Sequence, residues 1–155
     1  MSVVPPPTGL ERLFRVEVLV GPIEDHGTTS AGHRRVVPIV GGRIFDGVDA
    51  EVLPGGADWQ VVRPDGTIEI DTRYTARTGD GAHLHLRTHG IRAGSPAVLE
   101  ALLRGADVPA TEYSFRLHVT VETSAPAYDS LQRELIVAAA ARGEGLVVYD
   151  AYRMT

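Results

Sequence analysis

Cysteine is absent from this 155-residue chain, and so is lysine, because all 15 of its Lys+Arg residues are arginine. Without cysteine there is no thiolate nucleophile, no disulfide and no zinc–thiolate site. Without lysine no side-chain amine can form a Schiff base with a carbonyl substrate. Long apolar runs are missing too, and none reaches the roughly 18 residues that a membrane-spanning helix needs. The opening segment, Met1–Arg12, lacks the basic cluster and following apolar stretch of a secretory signal, which makes the cytoplasm the expected location. There is no excess of positive charge. The formal net charge of −5 argues against nucleic acid or an anionic membrane as partner. A Gly-x-Ser-x-Gly elbow, a phosphate-binding loop and a dinucleotide fingerprint are all absent.

What is present reads as one domain. The chain is long enough for a continuous core, and its 43 % hydrophobic and 23 % charged residues are the balance of a globular protein. Residues 1–9 form a Pro-rich lead expected to be extended or flexible, and residues 10–155 form the domain. From Leu10 onward, short runs rich in Val, Ile, Thr and aromatics alternate with Gly, Pro and Asp. Strands are predicted at 13–20, 34–40, 43–53, 57–62, 67–77, 82–87, 113–123, 131–140 and 146–153. The turns Arg63-Pro64-Asp65-Gly66, Thr78-Gly79-Asp80-Gly81 and Arg142–Gly145 join neighbours as hairpins. Eight or nine strands with short connections make an all-β barrel or sandwich. One helix is predicted over 95–104, capped by Ser95, opened by Pro96 and ended by Gly105. Its apolar face is Val98, Leu99, Leu102 and Leu103, suited to plug a barrel end or cover its flank.

Several stretches resemble the DUF3237 (UPF0311) family. They are Gly32-His33-Arg34-Arg35-Val36-Val37-Pro38-Ile39 with Gly41-Gly42, and Leu53-Pro54-Gly55-Gly56-Ala57-Asp58-Trp59-Gln60. They continue through Asp65-Gly66, Asp71-Thr72-Arg73-Tyr74-Thr75, Asp80-Gly81-Ala82, Tyr113-Ser114-Phe115-Arg116, and Glu122-Thr123 with Tyr128. The resemblance covers nearly everything after residue 10. It implies a closed antiparallel barrel similar to that of allene oxide cyclase, in a family whose few characterised members belong to natural-product biosynthesis, including ring closure without a cofactor. The chain departs from the family pattern at Ala50, at Ser130-Leu131-Gln132, and at His83 and His85. Should those positions line the cavity, its ligand differs from that of its relatives.

Asp58 and Trp59 follow a Gly-Gly pair at a strand start. Asp58 either satisfies turn N–H groups beside a core Trp59, or sits at the barrel mouth where an adjacent indole raises its pKa toward that of a general base. Asp71 and Arg73 share one strand face, with Ile70 and Tyr74 on the other. Arg116, His118, Thr120 and Glu122 likewise share a face opposite Phe115, Leu117, Val119 and Val121. Such a polar face either looks at water or lines a wet cavity, and the family motifs fall on Asp71, Arg73, Arg116 and Glu122. His83, His85 and His89, with His118 or Glu122, could make a metal site, but the spacing matches no recognisable complete ligand set.

The residues expected to carry chemistry are therefore Asp58 or Glu122 moving a proton, with Arg73, Arg116 or Tyr74 stabilising an oxyanion. Trp59, Asp71, His85, Arg116, His118 and Tyr128 are expected to contact the substrate. Asp58, Arg73, Arg116 and Glu122 are expected to border the lumen. The expected function is a cofactor-independent cyclase, isomerase or lyase acting on a small natural-product-like molecule, without metal. A non-catalytic carrier or sensor with the same cavity is the alternative. The sequence is compatible with a homo-oligomer.

Overall fold

Runs in which every second residue is apolar become strands that turn one side toward a shared interior. A computed structural model describes all residues, Met1–Thr155. It contains ten strands: β1 (Leu10–Val20), β2 (Glu24–Thr29), β3 (Gly32–Phe45), β4 (Ala50–Val52), β5 (Ala57–Val62), β6 (Ile68–Thr78), β7 (His83–Gly94), β8 (Tyr113–Thr123), β9 (Ile136–Gly143) and β10 (Leu146–Met154). Every pairing is antiparallel, and β1 pairs with both β10 and β3, which closes the sheet. The closed barrel has eight positions, in the order β1, β10, β9, β8, β7, β6, β4 with β5, and β3. β4 and β5 share one position because they occupy successive stretches between β6 and β3. β2 lies outside the ring as an added edge on the first residues of β3. No helix is long and apolar enough to cross a membrane.

The all-β barrel agrees with the expected class, and several strand bounds differ from expectation. β7 runs on to Gly94, seven residues past the expected 82–87, and β3 spans Gly32–Phe45 rather than 34–40. Arg43–Leu53 is not one strand. The chain turns at residues 46–49, where Asp46 (φ 57°) and Gly47 (φ 137°) take left-handed backbone, so residues 43–45 belong to β3 and only 50–52 form β4. Leu131 belongs to a 3₁₀ segment, Pro126–Arg133, rather than to β9. β2 (EDHGTT) escapes a hydrophobic pattern because it is almost wholly exposed.

β3 passes from its pairing with β5 to its pairing with β4 through Gly41 and Gly42. Gly42 has φ 136°, and a Cβ there would stand 2.1 Å from the carbonyl oxygen of Glu17 on β1. Only glycine lets the seam between β1 and β3 close at this point.

The two ends of the barrel are closed differently. α1 (Pro96–Leu103) follows β7, and the Ser95 hydroxyl accepts a hydrogen bond from the Val98 N–H at 3.3 Å. α1 buries Leu99 and Leu102, and the guanidinium of Arg142 on β9 donates to the Leu102 carbonyl at 2.6 Å. At the opposite end the Pro126–Arg133 segment inserts Leu131, and the Tyr128 hydroxyl accepts from the Asp49 N–H at 3.3 Å. The half of the lumen next to this segment is filled by Phe14, Ile44, Leu84, Leu86, Leu131 and Ile136. The two ends of the chain meet, Thr8 and Gly9 bonding to Thr155.

Candidate functional site

The half of the lumen nearest α1 is hollow. The cavity there has a volume of about 330 Å³, within the range of small-molecule sites. Val18, Ile39, Ile70, Phe115, Leu117 and Val147 supply the apolar part of its walls. Leu103 at the end of α1, with Pro22, Gly105 and Gly145 from loops at the same end, surrounds its mouth.

Polar groups enter the walls at levels set by strand register. Asp58 stands between Val37 on β3 and Thr72 on β6, and Thr72 in turn faces Thr88 on β7. One level nearer the mouth, Arg35 of β3 faces Gln60 of β5. Nearer still, Arg92 of β7 lies between Ile68 and Phe115, its guanidinium carbon 5.5 Å from the phenyl centroid. Arg142 joins them from β9.

Asp58 is held from two sides. Gln60 Nε2 donates to Oδ2 at 2.7 Å, and the backbone N–H of Asp71 donates to Oδ1 at 3.1 Å. These bonds favour the carboxylate, yet desolvation outweighs them and raises its pKa above the ordinary value. Tyr74 and Tyr149 form the floor, their hydroxyls hydrogen-bonded to each other. Burial raises both phenol pKa values, so both remain protonated donors.

The three arginines lack carboxylate partners within ion-pairing distance. Arg92 is 2 % exposed and Arg35 6 %. The Nε of Arg35, the Nε and Nη2 of Arg92 and the Oε1 of Gln60 are buried with no hydrogen-bond partner. Burial, then repulsion from Arg142 and Arg35, lowers the Arg92 pKa to about 10. Burial lowers those of Arg35 and Arg142 as well.

Of the residues singled out from sequence, Asp58 and Tyr74 line this cavity. The expectation that Arg73, Arg116 and Glu122 border the lumen is corrected. On β6 the inward residues are Ile68, Ile70, Thr72, Tyr74, Ala76 and Thr78, which sends Asp71 and Arg73 outward. On β8 they are Tyr113, Phe115, Leu117, Val119 and Val121, which sends Arg116, His118 and Glu122 outward. Asp71 pairs on the surface with Arg87 at 3.2 Å and Arg73 at 3.7 Å. It reaches the site only through its backbone N–H.

Trp59 is on the outer face, 39 % exposed, not beside the carboxylate as expected. What raises the Asp58 pKa is enclosure in the barrel wall. His85 points outward opposite Glu122, His118 points outward opposite His89, and Tyr128 sits at the far end. No three His, Asp or Glu side chains cluster in a way that could hold a metal ion. The departures at His83 and His85 therefore lie outside the cavity.

Sequence reasoning missed Arg35, Arg92, Arg142 and Tyr149. Arg35 stands on one parity with Val37 and Ile39. Arg92 and Arg142 lie beyond the strands expected at 82–87 and 131–140, and the apolar parity they share with Leu84 and Leu86, and with Ile136, Ala138 and Ala140, shows only when those strands run on to Gly94 and Gly143. An arginine on an inward parity has either a buried partner or a buried task.

A model of the DUF3237 family, described as proteins of unknown function, matches residues 8–154. A UPF0311 protein of Rhodopseudomonas palustris is 36 % identical over 143 residues, 92 % of this chain and 94 % of the relative. A solved β-barrel-like protein of Acinetobacter baumannii has a TM-score of 0.86 at 41 % identity, covering 99 % of this chain and all of that one. An enzyme from Penicillium herquei shares the fold, with a TM-score of 0.71 at 22 % identity over the whole of both chains.

Proposed function

This chain belongs to the DUF3237 family, and from that premise we propose that it is a small-molecule-binding barrel enzyme, a cofactor-independent cyclase, isomerase or lyase working by proton transfer. The observation that carries the proposal is the carboxylate of Asp58, desolvated within a cavity that also presents two protonated phenols. One chain of this fold is an enzyme, but fold does not transfer chemistry, and the roles rest on this chain's own residues.

Asp58 accepts a proton from an acidic C–H or O–H of the substrate. The negative charge left on the substrate oxygen is met by the phenolic O–H of the Tyr74–Tyr149 pair that is not used within the pair. The proton then returns from Asp58 to a second atom, giving an isomer, a closed ring or an eliminated fragment. A raised carboxyl pKa suits this task, because the group must both take and release a proton near neutral pH. Apolar walls fix the folded shape of the substrate, which contributes through positioning.

The test is deuterium exchange. Enolisable ketones and phenol-bearing enones are incubated with the protein in D₂O and followed by NMR. Asp58-dependent deuterium uptake, lost in Asp58→Asn, is the expected result. Ligands that bind without exchange in either protein would instead establish a carrier or sensor.

A further inference from the structure

We propose that the cavity takes an organic anion, its carboxylate-type head held by Arg35, Arg92 and Arg142 near the mouth and its apolar body lying toward the Tyr74–Tyr149 floor. This deepens the reading of the cavity as the functional site and rests on it.

Four arginines, Arg35, Arg92, Arg104 and Arg142, and one carboxylate line the same space, an excess of positive charge in a chain whose formal net charge is −5. Arg104 is exposed and paired with Glu100 at 3.0 Å, which leaves three. Two of the three arginines are more than nine-tenths buried, and three of their N–H-bearing nitrogens have nothing to donate to. Leaving such donors unsatisfied destabilises a fold, and an unpaired buried charge does so more strongly. None of the three has a structural ion pair to account for it. Arg142 spends one nitrogen on the Leu102 carbonyl, and Arg92 gains only the Phe115 ring.

Guanidinium forks match planar, two-oxygen acceptors, which makes a carboxylate the head group that fits best. The remaining wall explains the rest of the ligand. Val18, Ile39, Leu117 and Val147 cannot solvate an ion, so an inorganic anion would leave most of the cavity without complementary contacts. The order of levels also sets orientation. Arg92 is opposite Ile68, at the mouth end of β6, whereas Tyr74 lies six residues deeper on the same strand. The anionic head therefore stays near the mouth, and Asp58, between them, meets the middle of the molecule.

The test compares 2-naphthoate with 2-naphthamide, which share a shape and differ in charge, by isothermal titration calorimetry, with inorganic phosphate as a third probe. Charge-assisted hydrogen bonds to two or more arginines predict binding of naphthoate about tenfold tighter than the amide or more. Arg92→Met should narrow that difference by weakening naphthoate more than the amide, Arg35 and Arg142 supplying what remains. It should also raise the thermal midpoint of the free protein, because it removes an unpaired buried charge. A purely structural arginine would lower it.

Equal or tighter binding of the amide overturns the anion class and leaves the cavity standing as the site. Phosphate binding as tightly as naphthoate overturns the organic part. Binding of neither naphthalene overturns this inference and the cavity reading together. The deuterium-exchange assay reports on Asp58 separately. Should Arg92→Met fail to fold, the naphthoate–naphthamide comparison on the unaltered protein still decides.

Discussion

The hydroxyls of Tyr74 and Tyr149 meet across the barrel, bonding β6 to β10, which occupy opposite positions of the eight-position ring. No other hydrogen bond is made by either phenol oxygen. Tyr149→Phe therefore strands the Tyr74 hydroxyl in a buried place and should destabilise the fold by about 1–3 kcal/mol. The double Tyr74→Phe, Tyr149→Phe variant should lose less than the sum of the two single changes. Urea denaturation of all four proteins in a double-mutant cycle measures this coupling.

Asp58→Asn should separate stability from activity. Burial lifts the folded carboxyl pKa above its ordinary 3.8, so the folded state holds that proton to higher pH than the unfolded chain. Stability therefore falls as pH rises from 3.8 through the folded value, and the full penalty persists above it. Asn carries no such penalty, and Gln60, whose Oε1 is unpartnered, can turn its amide to match. The variant should be at least as stable as the parent at pH 7, and its advantage should shrink toward pH 4. Guanidinium denaturation across that range checks it. Greater stability of the parent at pH 7 would contradict the desolvation account.

Asp150 behaves oppositely. On β10 it receives Arg15 through two bonds of 2.7 Å and Arg12 at 3.0 Å, both from β1, and its pKa falls to about 2. Its contribution is complete above the ordinary 3.8 and is lost as pH drops toward about 2. Because the cluster is solvent-screened, Asp150→Asn should cost about 1 kcal/mol or less at neutral pH. The deficit should shrink in 1 M NaCl and vanish near pH 2, as thermal melts would show.

Gly42→Ala places a methyl group 2.1 Å from a backbone carbonyl of β1 at φ 136°. No side-chain rotation relieves that overlap. A loss of at least about 3 kcal/mol is expected, or failure to accumulate as soluble protein. An alanine variant of unchanged stability would mean that the β1–β3 seam is looser than described.

The fold was readable wherever local chemistry decides it. Pro64-Asp65-Gly66 marks the β5–β6 turn, and the Asp65 carboxylate accepts from the Thr67 N–H at 2.9 Å. Ser95, Pro96 and Gly105 bound the helix to within a residue or two of its observed ends. The site was less legible, because alternation tells which residues share a face but not which face is inside a hollow barrel. Arg116 and Glu122 form a polar row that could equally have lined a wet lumen. The cavity's polar groups instead sit singly among apolar neighbours, and the pairing of Arg35 with Gln60 or of Asp58 with Thr72 depends on inter-strand register. Tyr149 and Tyr74 meet only through closure of the ring, which no local pattern encodes.

The far end of the lumen, packed from Phe14 to Leu131, makes the hollow half a blind tube. From Ile68 to Tyr74 its depth is about 15 Å, taking six residues of strand at the tilt of a small barrel. Whatever enters must back out by the route it took, so an incoming molecule waits until the previous occupant has gone. If the tube is catalytic, product and reactant exclude one another, and accumulated product slows the reaction as a competitive inhibitor. Relay of an intermediate straight through the barrel to a second protein docked at the other end is geometrically closed to this chain.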